Sequence, residues 1–169
     1  MAFRRTDNLF FENATILYRN FQGLEKRSPT GIIVNEEGSR NFSVIIDDPD
    51  TAARLKEDGW NVKIRMPREE GDTTLNYLTI RVRFDRVPPK VWLVTTRNGQ
   101  IASRTQLDES TIDQLDQVDV VNVDLEVNPY HHKMDDGITA YLREGFFTIA
   151  ESRFADKYRI DDNADLPWE

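Results

Sequence analysis

The sequence predicts a mainly β protein, an antiparallel barrel or sandwich. Three observations carry this expectation. Apolar and polar residues alternate with period 2 along most of the chain. The alternating runs are rich in β-branched and aromatic side chains. Only two stretches carry helix caps, both short, and Gly, Pro, Asn and Asp turn signals separate the rest.

In chain order, 14–21 (Ala14 to Phe21) reads as a first strand and 40–46 (Arg40 to Ile46) as a second, with 25–37 between them loop-like around the apolar patch Ile32-Ile33-Val34. A helix of two to three turns follows. Asp48 or Asp50 can cap it, Pro49 suits its first turn, and Gly59 suits its stop. Residues 61–66 alternate with Val62, Ile64 and Met66 on one face and Lys63 and Arg65 on the other. The strongest strand is 75–84: Leu78, Ile80, Val82 and Phe84 face one side, and Tyr77, Thr79, Arg81 and Arg83 the other. Pro88-Pro89 breaks it. Residues 90–96 form a strand with Trp92 at its middle, and Asn98-Gly99 predicts a tight hairpin returning through 101–107. A second short helix is expected over 108–116. A strand over 118–128 places Val121, Val123, Leu125 and Val127 inward and ends at Asn128-Pro129. After a turn at Asp135-Asp136-Gly137, 138–149 is the last strand, and 151–158 is weakly helical. A five-stranded Greek-key barrel with an inserted helix, the OB-fold, fits this count, and a β-sandwich is the alternative.

The 169 residues fit one domain, taken as 1–160, followed by a tail over 161–169 with too little apolar content to pack, expected to be disordered in the free protein. The chain has no cysteine, which excludes disulfides, thiol chemistry and Cys-based zinc sites. Residues 2–7 lack the apolar stretch of a signal peptide, and no window approaches a membrane span of about 20 apolar residues. A soluble, cytoplasmic protein without membrane contact is expected, and a monomer is the simplest state.

Charge is unevenly placed. The net charge is −8, yet residues 61–104 hold nine basic side chains against four acidic ones, while 161–169 hold four acidic and no basic ones. Lys63 and Arg65 on one strand, with Arg81 and Arg83 on the next, would put four cations and Tyr77 on one surface. Cations that follow phosphates and rings that stack on bases are what single-stranded nucleic acid needs. Trp92, Phe42 and Tyr18 are further stacking candidates, although Trp92 alone reads more readily as core. Arg97 and Arg104, near the hairpin, would extend such a groove. The same alternation also describes any solvated sheet face. The tail carries Asp161, Asp162, Asp165, Leu166, Pro167, Trp168 and Glu169: an apolar tip on an acidic, extended segment, suited to a partner's pocket ringed by basic groups, or else to docking on its own domain. Asp119, Asp124 and Glu126 could be imagined as a nuclease-type metal site, but Asp119 is out of phase with the other two. His131-His132 reads as turn. No GxxxxGK[ST], GxSxG or HExxH motif is present, and no catalytic residue, metal or cofactor is indicated.

Several short runs resemble the OB-fold single-stranded-DNA-binding proteins of bacteriophages: Arg40-Asn-Phe-Ser-Val-Ile-Ile46, Asp58-Gly-Trp-Asn-Val-Lys63, Pro88-Pro-Lys-Val-Trp92, Leu107-Asp-Glu-Ser-Thr-Ile112, Val121-Asn-Val-Asp-Leu125, Asn128-Pro-Tyr130 and Gly137-Ile-Thr-Ala-Tyr-Leu142. The likeness runs in order from about residue 38 to 160. It implies an OB-fold, coating of single-stranded DNA with little sequence specificity during phage replication or recombination, and no catalytic activity. The tail is similar in kind to the acidic, aromatic-tipped tails that recruit replication and recombination proteins and compete with DNA, except that Glu169 follows Trp168 here. A protein-interaction module without DNA binding and an acidic-cluster nuclease remain the rival readings.

Overall fold

The computed structural model describes residues 7–67, 69–71 and 73–151. A nine-stranded sheet dominates it, with the order β1-β10-β11-β7-β5-β2. Its strands are β1 (Leu9–Ala14), β2 (Ile16–Asn20), β5 (Arg40–Ile46), β6 (Val62–Arg65), β7 (Leu75–Val82), β8 (Lys90–Arg97), β9 (Gln100–Leu107), β10 (Val120–His131) and β11 (Ile138–Ile149). β3 (Lys26–Arg27) and β4 (Ile33–Asn35) form a separate two-stranded hairpin, and α1 (Pro49–Asp58) is the one α-helix among the described residues. The path is not closed: it ends on β1 at one side and β2 at the other. Only Thr15 separates these two strands, so one bent segment borders β10 with its first half and β5 with its second. Counted as segment 9–20, β5, β7, β11 and β10, with β7 and β11 parallel, this is the partly open five-stranded barrel of an OB-fold. β6 attaches to β7, and the β8–β9 hairpin attaches as a wing to the far part of β11.

The bend in segment 9–20 has a local cause. Asn13 and Tyr18 have φ of 53° and 54°, and the pairing register slips at both places. Each is a bulge, which bends a strand and re-aims the side chain that carries it.

Inward residues meet as the alternation predicts. Phe42, Val44, Leu78, Ile80, Val82, Val123, Leu125, Val127, Ala140, Leu142 and Phe147 are buried. Phe21, Phe42 and Phe147 make a three-ring centre with centroids 5.0, 5.5 and 5.7 Å apart. Such pairs add about 0.5–1.5 kcal/mol each beyond the area they bury. Helix α1 starts and stops as expected: the Asp48 carboxylate accepts from the Asp50 N–H, Pro49 opens the first turn, and Gly59 closes the helix at φ 109°. Asn98 and Gly99 take positive φ in the β8–β9 turn.

Six expectations are corrected. The first strand is not 14–21 but the pair β1 and β2, because the bulges interrupt one longer run. The loop expected over 25–37 contains the β3–β4 hairpin. The second helix is only a 3₁₀ turn, Ile112–Asp116, with Ile112 and Leu115 buried in the core. β10 runs through Pro129 to His131, since β1 stops opposite Val127 and leaves that edge without a ladder bond for proline to break. Val121 is 60% exposed because the register slips between Val120 and Asn122. Ile64 and Met66 share a face with buried Val62, but both are exposed, as β6 is a short strand at the margin. The weak helix expected over 151–158 lies, apart from irregular Glu151, outside the described residues, as does the tail.

Candidate functional site

Strands β2, β5, β7 and β6 lie side by side, and their outward residues form one surface. Cross-strand neighbours are Asn41 with Arg81, Ser43 with Thr79, and Lys63 with Tyr77. A groove of about 310 Å³ runs over this surface. Its lining includes Tyr18, Lys26, Lys63, Tyr77 and Arg81, and no acidic residue.

The floor is polar and uncharged. The Ser43 and Thr79 hydroxyls are 3.2 Å apart, and the Asn41 amide donates to the Asn35 side chain at 2.8 Å. The β3–β4 hairpin forms one wall and contributes Lys26, Val34 and Asn35. Amides root this wall. Asn20 both accepts from the Leu24 N–H and donates to its carbonyl, and Asn35 donates to the carbonyls of Leu24 and Ser39. The tyrosines meet edge to face, with Tyr18 and Tyr77 centroids 5.4 Å apart at 66°. Arg65 reaches the Tyr18 hydroxyl at 3.4 Å. Tyr18 is 46% exposed although it belongs to a barrel strand, because its bulge turns it outward. Among the described residues, Lys26, Lys63 and Arg81 have no acidic partner.

Arg81 also borders a second cavity of about 290 Å³, lined further by Glu36, Glu37, Arg40, Arg83 and Tyr141. Arg83 stands beyond the end of β7 and holds Asp85 by two hydrogen bonds, of 3.0 and 2.5 Å. Hydrogen bonding to Asp85 raises the Arg83 guanidinium well above its ordinary range, with Tyr141 adding to the shift, and the same pair holds the Asp85 carboxyl below its usual value.

The predicted residues thus divide. Lys63, Tyr77 and Arg81 converge in the groove, Arg65 joins them through Tyr18, and Arg83 sits next door, tied to Asp85. Trp92 and Arg104 lie elsewhere, on the β8–β9 wing. The Trp92 ring stacks on Phe146 at 6.2 Å, carries Arg104 at 4.6 Å over its face, and donates from Nε1 to Glu144 at 3.1 Å. Arg97 is at the end of β8, close to the hairpin tip. Phe42 is wholly buried, so it serves the core and not a ligand. Asp161, Asp162, Asp165, Leu166, Pro167, Trp168 and Glu169 lie outside the described residues. Asp124 and Glu126 accept from the Asn13 N–H and the Asn8 amide respectively, fixing β1 to β10 and not one another. Lys26 and Tyr141 carried no signal in the sequence: Lys26 lies on a hairpin that looked like loop, and Tyr141 becomes a neighbour of Arg81 only through the parallel β7–β11 pairing.

No helix among the described residues is long and apolar enough to cross a membrane. The sequence matches the phage ssDNA-binding domain family over residues 1–167. No curated protein matches. Among solved structures, the chain is similar to the single-stranded DNA-binding protein of bacteriophage Enc34 in a C-terminally truncated form, at 12% identity, with a TM-score of 0.48 over 86% of this chain and 87% of that one. The Enc34 protein without truncation gives 14%, 0.45, 91% and 87%. Gp2.5, a single-stranded DNA-binding protein of bacteriophage T7, gives 9%, 0.33, 95% and 99%.

Proposed function

Because the chain belongs to the phage ssDNA-binding domain family, we propose that it coats single-stranded DNA, held in the groove over β2, β5, β7 and β6. The observation that carries the placement is the groove's composition: three cations and two tyrosines, without a carboxylate, in a protein of net charge −8. Lys26, Lys63 and Arg81 take the phosphates, with Arg65 at the margin. Tyr18 and Tyr77 take bases on their ring faces, which every base can accept, so sequence preference is small. The face of barrel strands two and three is where OB-folds receive oligonucleotides. The role is protection of single strands in phage DNA replication and recombination, in the host's cytoplasm, with the acidic tail recruiting the proteins of those processes. No chemical step is assigned to any residue.

The test is a fluorescent oligonucleotide titrated with the full chain at several salt concentrations. Each phosphate contact to a single strand contributes about 0.7 to the slope of log affinity against log salt. Lys63→Ala with Arg81→Ala should flatten that slope by about 1.4. Tyr77→Ala should cost about 1–3 kcal/mol of affinity and leave the slope in place. Absence of binding at low salt, or an unchanged slope in the double variant, overturns the assignment.

A further inference from the structure

A second pair of tyrosines lies on the same side of the barrel, beyond Arg81. Tyr141 on β11 is the parallel cross-strand neighbour of Arg81. Its ring meets Tyr130 of β10 edge to face, with centroids 6.1 Å apart at 85°. Tyr130 is 45% exposed and lies 6.1 Å from the His132 ring, at the entrance to the β10–β11 turn. The geometry repeats that of Tyr18 with Tyr77. Neither Tyr130 nor Tyr141 belongs to the buried core, so packing alone does not account for them.

We infer that the DNA path continues past Arg81 onto the β10–β11 hairpin, where Tyr141 and Tyr130 form a second base-stacking subsite. The inference rests on the proposed groove and extends it. Arg81 joins the two parts, because it lines both the groove and the cavity that holds Tyr141. Glu36 and Glu37 line the same cavity and repel phosphate. The backbone therefore passes on the Arg81 and Arg83 side, and bases turn toward the tyrosines. Lys133, exposed in the turn beyond Tyr130, offers a further cation where the strand leaves. The turn corresponds to the loop between strands four and five of an OB-fold, which together with the loop between strands one and two flanks the binding face. Tyr77 precedes Arg81 by four residues, about 13 Å along a strand. A very short oligonucleotide therefore fills the groove without reaching Tyr141.

That length dependence supplies the test. OB-fold sites take about 4–16 nucleotides, so the probes are a thymidine dinucleotide, too short to span from Tyr77 to Tyr141, and a dodecanucleotide, each titrated by anisotropy at low salt with the full chain. Tyr141→Ala and Tyr130→Ala should each weaken the dodecanucleotide by about 5- to 150-fold, the loss of one stacked base, and leave the dinucleotide unchanged. Tyr141→Phe keeps the ring and should bind as the parent does. Equal weakening of both probes, or none of either, overturns the subsite. Where Lys63→Ala with Arg81→Ala still weakens both probes, the groove assignment survives that outcome. If the double variant is without effect on either probe, the groove assignment fails and the subsite with it.

Discussion

Arg81 on β7 and Arg83 just beyond its end are not equivalent once their neighbours are known. Arg81 has no acidic partner among the described residues and borders both cavities, whereas Arg83 is held by Asp85. A phosphate must displace that carboxylate before it gains Arg83, so Arg81→Ala should cost more affinity and more salt slope than Arg83→Ala. Matched titrations of the two single variants check this, and a larger loss with Arg83→Ala would reverse the ranking. The pH sign follows from the same pair. The Asp85 pKa is depressed in the folded protein, so the pair is intact above the ordinary carboxylate range and is lost only as pH falls through the lowered value. Near neutral pH the Asp85 carboxylate is ionised and competes with phosphate for Arg83. Trp92 shows the same principle for rings. Phe146, Arg104 and Glu144 already engage it, so Trp92→Ala should leave short-oligonucleotide affinity near the parent's while Tyr77→Ala does not.

At the scale of the element, the sequence declared whatever local chemistry decides. The bounds of β5, the cap and stop of α1, the inward phase of β7 and the Asn98-Gly99 turn were all legible, because each depends on residues next to one another in the chain. What pairing decides was hidden. No pattern marks Tyr18 as a bulge, yet that bulge brings its ring beside Tyr77. Pro129 reads as a stop until β1 is seen to end opposite Val127. Strand phase put Trp92 and Tyr77 in one list, although β8 follows the far half of β11 and β7 the near half. Gly145 of β11 is a packing requirement. A Cβ there would lie 2.7 Å from Cε2 of Phe147 and 3.3 Å from Cδ2 of Leu125, and the Phe147 ring is wholly buried among Phe21 and Phe42. Gly145→Ala should therefore destabilise the barrel by about 1–3 kcal/mol, the usual cost of overpacking. Urea unfolding measures it, and a midpoint equal to the parent's would mean that the ring moves freely.

At the scale of the whole molecule, charge is sorted by face, and under the proposed function that sorting would confine the DNA. The outer surface of β1, β10 and β11 holds another cavity of about 310 Å³, lined by Phe10, Phe146 and the carboxylates of Glu12, Asp124, Glu126 and Glu144. Its carboxylates would repel phosphate, which is why the proposed path keeps to the side of Lys63 and Arg81. As a prediction, the four acidic residues of 161–169 compete with DNA for those same cations. A tethered competitor acts at an effective concentration in the millimolar range for a short flexible link, and its attraction is screened within about 10 Å at 0.1 M salt. Ending the chain at Ile160 should therefore raise affinity for single-stranded DNA at low salt, and the gain should shrink as salt rises. Converting only the four acidic residues to their amides, with Leu166, Pro167 and Trp168 kept, should reproduce the gain if the carboxylates and not the apolar tip are the competitors. A gain from truncation that the amide variant lacks would place the competition on Trp168. Equal affinity of all three chains at low salt would overturn the competition.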